Sequence, residues 1–208
     1  MKHRTNHLLI LGLTALVSLA TACDHARDAR AADTTRTTAA ETGVVDSVFP
    51  PEEALRRFRA ELPAVSELMN AEPTRDAVVR RFVHAIERRD TAALRTIVMT
   101  RSEFAYLYFP TSLRARSPAQ QPPALVWFLH TQNSEKGVGR VLVRFGGRPI
   151  TFRGYTCASP VRVEVENTIW DDCRMHVGTG GDRSTIRLFG GVIERAGRFK
   201  LLSYANDL

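Results

Sequence analysis

The chain has 208 residues, a formal net charge of +7, 44% apolar and 25% charged residues, and three cysteines. That composition excludes a chain disordered throughout, a collagen-like fibre and a small disulfide-stapled scaffold, and the length fits one domain or at most two small ones. The positive charge is scattered arginine with no aromatic-basic motif beside it, which makes nucleic acid an unexpected partner.

Residues 1–22 read as an export leader. Lys2 and Arg4 give a basic start, Leu8 to Leu19 is apolar, and Ala20, Thr21 and Ala22 are small. An apolar run this short does not span a bilayer, which takes about 20 residues of helix. Loss of Lys2 and Arg4 from the 29 basic residues leaves +5 against 22 acidic ones. Cys23 follows at once, and Leu19-Ala20-Thr21-Ala22-Cys23 resembles the lipobox of bacterial lipoproteins, where cleavage precedes a cysteine that carries the lipid. It departs from that pattern at Ala20, where leucine is usual. The alternative is cleavage after Ala20-Thr21-Ala22 and a soluble product with an unpaired thiol. The resemblance implies an envelope protein held to the membrane by its N-terminal lipid and facing the periplasm or exterior. Residues 23–50, rich in Ala, Thr, Asp and Arg, are expected to form a flexible tether.

The pattern then becomes helical over a single expected domain, 51–208. Pro51, Glu52 and Glu53 suit a helix start, Leu55, Phe58 and Leu62 share a face, and Pro63 stops or kinks the helix. Thr74 or Asp76 opens a second helix with a stripe of Val78, Val79, Phe82, Val83 and Ile86. Asp90 caps a third, carrying Leu94, Ile97 and Val98, and Thr100-x-x-Glu103 fits a capping box. A proline-rich loop is expected over 109–123. Pro123 starts a helix with Leu125, Phe128, Leu129 and Gln132 on one side. Residues 138–146 fit either a strand or a helix, and Gly146-Gly147 as a stop favours helix.

After Pro149 the period changes to two. Ile150 and Phe152 start a strand. Val161, Val163 and Val165 alternate with Arg162, Glu164 and Glu166, and Ile169, Cys173, Met175 and Val177 form another alternating face. Thr179-Gly180-Gly181-Asp182 is a turn. Ile186, Leu188, Val192 and Ile193 read as one strand broken at Gly190-Gly191, and Arg195-Ala196-Gly197-Arg198 is a hairpin turn into Phe199, Leu201 and Leu202. Helices followed by an antiparallel meander make the fold class α+β.

Phe82-Val83-His84-Ala85-Ile86-Glu87-Arg88-Arg89-Asp90-Thr91-Ala92-Ala93-Leu94, with Leu188-Phe189-Gly190-Gly191 and Gly197-Arg198-Phe199-Lys200, resembles the nuclear transport factor 2-like superfamily, which includes ketosteroid isomerases. The resemblance covers roughly residues 74–207. It implies N-terminal helices packed in a strongly bent, cone-like antiparallel sheet with a pocket at the open end. A cystatin-like sheet around one helix is the alternative. Members are enzymes, binding modules or dimerising scaffolds, and no catalytic set of the family maps onto this sequence.

Cys157 and Cys173, in adjacent expected strands of an exported chain, read as a disulfide; two buried thiols or a metal site are the alternatives. His130 and Trp127 on one helix, and Tyr108 before the loop, are candidate pocket residues. So is the run 170–176, where alternation places Trp170, Asp172, Arg174 and His176 on one face; a solvated face with ion pairs is the competing reading. No metal or cofactor motif is present. The sequence therefore leads to a non-enzymatic, lipid-anchored binding domain for a small molecule or an envelope protein. An isomerase- or dehydratase-type pocket enzyme using Asp172, His176 or Tyr108 is the alternative, and a homodimerising sheet face a third.

Overall fold

The computed structural model describes residues 49–179 and 182–208; the leader, Cys23, most of the tether and Gly180-Gly181 lie outside the described residues. Among the described residues five helices precede the strands: α1 (Pro51–Arg59), α2 (Arg75–Glu87), α3 (Thr91–Ile97), α4 (Arg101–Glu103) and α5 (Pro123–Phe145). Their starts are chemically marked. Pro51 occupies the first turn of α1, where its missing N–H costs nothing. Thr74 Oγ1 accepts from the Ala77 N–H at 3.1 Å, and Asp90 accepts from the Ala93 N–H at 2.9 Å. Thr100 and Glu103 form the reciprocal capping box. The segment 109–122 is a loop containing two single 3₁₀ turns, and Pro123 already belongs to α5. Residues 138–145 are helical, and join the helix starting at Pro123 into one α5.

Seven strands follow: β1 (Thr151–Thr156), β2 (Arg162–Glu164), β3 (Asn167–Asp171), β4 (Arg174–Thr179), β5 (Asp182–Ile186), β6 (Gly191–Arg195) and β7 (Arg198–Ser203). They form two antiparallel sheets, in the orders β1-β4-β5 and β2-β3-β6-β7. The fold is α+β. The chain changes sheet between β1 and β2, between β3 and β4, and again between β5 and β6. The stretch from Ile186 to Ile193 is therefore two strands in two sheets, with a bulge where Gly191 meets Val192. In the β6–β7 hairpin Ala196 and Gly197 both have positive φ, +51° and +73°, which fits a tight turn whose twist matches the strands.

The larger core lies between α2 and both sheets: Val78, Val79, Phe82, Val83 and Ile86 pack with Met175, Val177, Val192 and Leu201. The opposite face of the four-stranded sheet sends Ile169, Ile193 and Leu202 into a second core with Phe58, Phe104, Leu107 and Phe109. That sheet is thus apolar on both faces along its middle, and alternation alone does not say which face any strand presents to which core.

One expected face is corrected, and one alternation acquires its direction. The run 170–176 is not one strand: Asp172 adopts φ +44°, the chain turns a corner there, and Trp170 and Arg174 belong to different sheets. In β2 the alternation holds, but Val163 is 66% exposed while Glu164 is 4% exposed. The strand turns its charged face inward because Arg162 and Glu164 find partners there, and a hydrogen-bonded, paired charge can be buried.

Helix α5 shows a related effect. Leu125, Phe128 and Leu129 are exposed, whereas Ser134 and Gly137 are buried. A Cβ at Gly137 would lie 1.8 Å from the Tyr204 carbonyl oxygen, and Ser134 Oγ accepts from the Tyr204 N–H at 3.0 Å. The buried side is chosen by small residues that admit the C-terminal backbone. Cys157 and Cys173 are joined by a disulfide across a separation of 16 residues, which encloses β2 and β3.

Candidate functional site

The inward face of β2 and β3 forms one wall of a polar cleft. Arg162 Nε donates to Asp171 Oδ2 at 3.0 Å, and its Nη1 donates to Glu164 Oε1. Arg162 is raised above the ordinary arginine range: burial opposes its charge, but the Asp171 hydrogen bond and the negative neighbours, Glu164 among them, outweigh burial. Glu164 Oε2 is buried and has no hydrogen-bond partner among the described residues.

Tyr108 stands above this pair, at the end of a π-helical turn, Phe104–Tyr108, that continues α4. Asn167, fully buried in β3, fastens that segment to the sheet by donating from Nδ2 to the Leu107 carbonyl and to Thr111 Oγ1, both at 2.9 Å. Burial pushes the Tyr108 phenol up, with Arg162 acting the other way. The proline-rich loop contributes Arg114, whose Nη1 donates to Gln121 Oε1 at 2.9 Å.

Tyr108, Arg114 and Gln121 border two adjoining hollows. One, of 460 Å³, is lined also by Ser112, Arg162 and Glu164. The other, of 320 Å³, lies under α5 against Val126, Leu129, His130 and Asn133 and reaches Ser203 at the end of β7. His130 stacks on Trp127 with ring centres 5.5 Å apart, and Trp127 in turn packs on Phe104 at 5.2 Å. Burial pushes His130 down from 6.5 to about 4, against an opposing contact from the Leu202 backbone. Its Nε2 is buried without a hydrogen-bond partner among the described residues.

The candidate residues therefore separate into two groups. Tyr108 and His130 share the cleft, with Trp127 behind the imidazole. The other four lie elsewhere. Trp170 points to the opposite face of its sheet, packing on Phe199 at 5.8 Å beneath the Arg75 guanidinium. Asp172 accepts from Arg174 at 3.1 Å in an outer ion-pair group with Arg187 and Asp207. His176 Nδ1 lies 3.1 Å from Thr185 Oγ1 on the three-stranded sheet. Asp172 and Arg174 thus take part in surface ion pairs, while Trp170 packs against the main core. Arg162, Glu164, Arg114 and Gln121 were not among the expected site residues. A signal for the first two is present in the sequence, since an Arg and a Glu two apart in a strand share one face. Among the described residues no group of His, Cys, Asp and Glu is arranged to hold a metal.

The buried imidazole has a thermodynamic consequence. In the unfolded chain it titrates near 6.5, and in the fold at about 4. Below pH 6.5 the unfolded state binds a proton that the folded state refuses, so stability falls as pH drops to about 4 and levels off beneath it. The loss attributable to His130 should be about 2 kcal/mol, somewhat under the full value of the shift because the ring is not wholly enclosed. His130→Gln should flatten that part of the profile, measured by urea unfolding across the interval.

Comparison with protein-family models, curated proteins and solved structures returned no match to this chain.

Proposed function

We propose that this chain is a lipid-anchored envelope protein, attached through Cys23, whose domain of the nuclear transport factor 2-like type binds a small molecule in the cleft between β2, the proline-rich loop and α5. The observation that carries this reading is the pair of buried polar atoms in the cleft walls, Glu164 Oε2 and His130 Nε2, that no described residue satisfies. Leaving such groups unsatisfied costs about 1–3 kcal/mol each, and a ligand that satisfies them recovers it. Arg162 and Arg114 against Asp171 and Glu164 leave the cleft walls without net formal charge, which fits an uncharged or zwitterionic ligand offering hydrogen-bond donors.

Binding is favoured over acid–base turnover by protonation state. General acid–base catalysis works best with a group titrating near the working pH. His130 is held neutral, at about 4, and Tyr108 is pushed above its ordinary 10. Both then act as fixed hydrogen-bonding groups, not as proton shuttles.

The test is native mass spectrometry of the mature protein purified without denaturation, with the small-molecule fraction released by acid. A retained compound is expected, together with an acylated Cys23. Glu164→Gln should lower its occupancy about tenfold, the scale of one charge-assisted hydrogen bond. A protein that retains nothing, or a compound retained equally by Glu164→Gln, overturns the cleft. An unmodified Cys23 overturns the anchor separately.

A further inference from the structure

Met69, Val143, Val161, Val163 and Val165 are exposed elsewhere, but five other exposed apolar residues fall on three segments that meet. Leu125, Phe128 and Leu129 are 46%, 58% and 45% exposed and lie on one side of the first two turns of α5. Leu113, 61% exposed, lies beside Arg114 at the cleft mouth, which Leu129 also borders. Phe49, 46% exposed, shares an apolar hollow of 470 Å³ with Pro122 and Pro123, immediately before those turns. The start of α1, the proline-rich loop and the start of α5 meet at that hollow, which brings their exposed apolar residues into one region. Its rim is net positive: Arg56, Arg57, Arg114 and Arg116 are exposed, against Glu52 in the same hollow and Glu53, which pairs with Arg56 at 2.7 Å and Arg57 at 2.6 Å; Arg57 also lies 3.8 Å over the Phe49 ring.

An exposed Phe/Leu face edged by arginines fits an interfacial lipid surface, where apolar side chains enter the acyl boundary and cations meet anionic headgroups. The way the chain enters supports the same occupant. Phe49, two residues before α1, lies on this face. The 26 residue steps from Cys23 to Phe49 span at most roughly 95 Å, so an anchor at Cys23 keeps the face at high local concentration over the bilayer. We infer that this face docks onto a bilayer containing anionic lipid, with Leu125, Phe128 and Leu129 inserted at headgroup level and the cleft mouth turned toward the membrane. The bilayer is the surface at hand through the lipid-anchored reading, on which this inference rests.

The experiment uses the mature chain reconstituted on vesicles of equimolar phosphatidylcholine and phosphatidylglycerol carrying brominated acyl chains, with tryptophan introduced at one position at a time. Phe128→Trp and Leu125→Trp should each lose about half of the added emission. Ala92→Trp should lose none; it is exposed near the far end of α5, where Arg89 meets the Gly146 carbonyl. Equal quenching at all three positions, or at none, overturns the proposal. Quenching that is absent while Phe128→Trp becomes shielded as protein concentration rises overturns it in favour of a second copy on the same face. Failure of the anchor is read independently, as an unacylated Cys23 by mass; protein added to the same vesicles then still reports whether the face itself engages lipid.

Discussion

Lys200→Met should lower the free energy of unfolding by about 3–5 kcal/mol, the usual cost of removing one partner from a buried ion pair. Lys200 and Glu103 are both fully buried, and Nζ lies 2.8 Å from Oε1. The ammonium also donates to the Met69 carbonyl at 2.8 Å, while Glu103 accepts from the Met69 and Thr100 N–H groups at 2.6 and 2.7 Å. The pair therefore ties β7, the start of α4 and the segment before α2 into one polar knot under the second core. Burial pulls the Lys200 pKa down and Glu103 opposes that pull. Methionine fills the space of the lysine stem but leaves Glu103 charged without its cation. The double variant Lys200→Met/Glu103→Gln should recover part of the loss, because the residual carboxylate is gone while an acceptor for a backbone N–H remains. Urea denaturation of the two single variants and the double gives the coupling directly, with an unchanged m-value as the check that the same two states are compared.

Replacing Cys157 and Cys173 by serine should cost about 3 kcal/mol, the loop-closure value for a ring of about 15 residues. The ring contains β2 and β3, and so Arg162, Glu164, Asn167 and Asp171. Its base is also closed by the Ala158 N–H donating to the Asp171 carbonyl at 3.0 Å. Without the disulfide, amide exchange should accelerate first in β2 and β3, before the α2 core opens. Uniform acceleration across the domain would instead mean that the bridge holds the whole fold and not this hairpin.

Sequence reading succeeded where the signal is local. Thr74, Asp90 and Thr100 cap as their spacing says, and the α2 stripe and the Cys173-Met175-Val177 face are buried as their periods require. It failed where phase or distant contact decides. Period two in β2 is legible, but which face turns inward depends on Tyr108 and Asp171, elsewhere in the chain. In α5 hydrophobicity marks the outer side at its start, because Gly137 and Ser134 are buried for their size, against Tyr204. The corner at Asp172 carries no glycine or proline to announce it. Half of the cleft was therefore visible as Tyr108 and His130, and the Arg162–Glu164 wall was hidden by the inverted strand.

The walls of the cleft come from three separated stretches of chain: the run from Tyr108 through the early turns of α5, strand β2, and the end of β7 with Ala205 beyond it. No one of them can bind alone, so occupancy is linked to folding of the whole domain. A ligand present at a hundredfold excess over its Kd should then raise the unfolding free energy by about 2.7 kcal/mol, a rise of about 5–10 °C in Tm for a domain of this size. Melting temperature thereby becomes an assay that works before the ligand has been identified, and a compound library can be sorted by it.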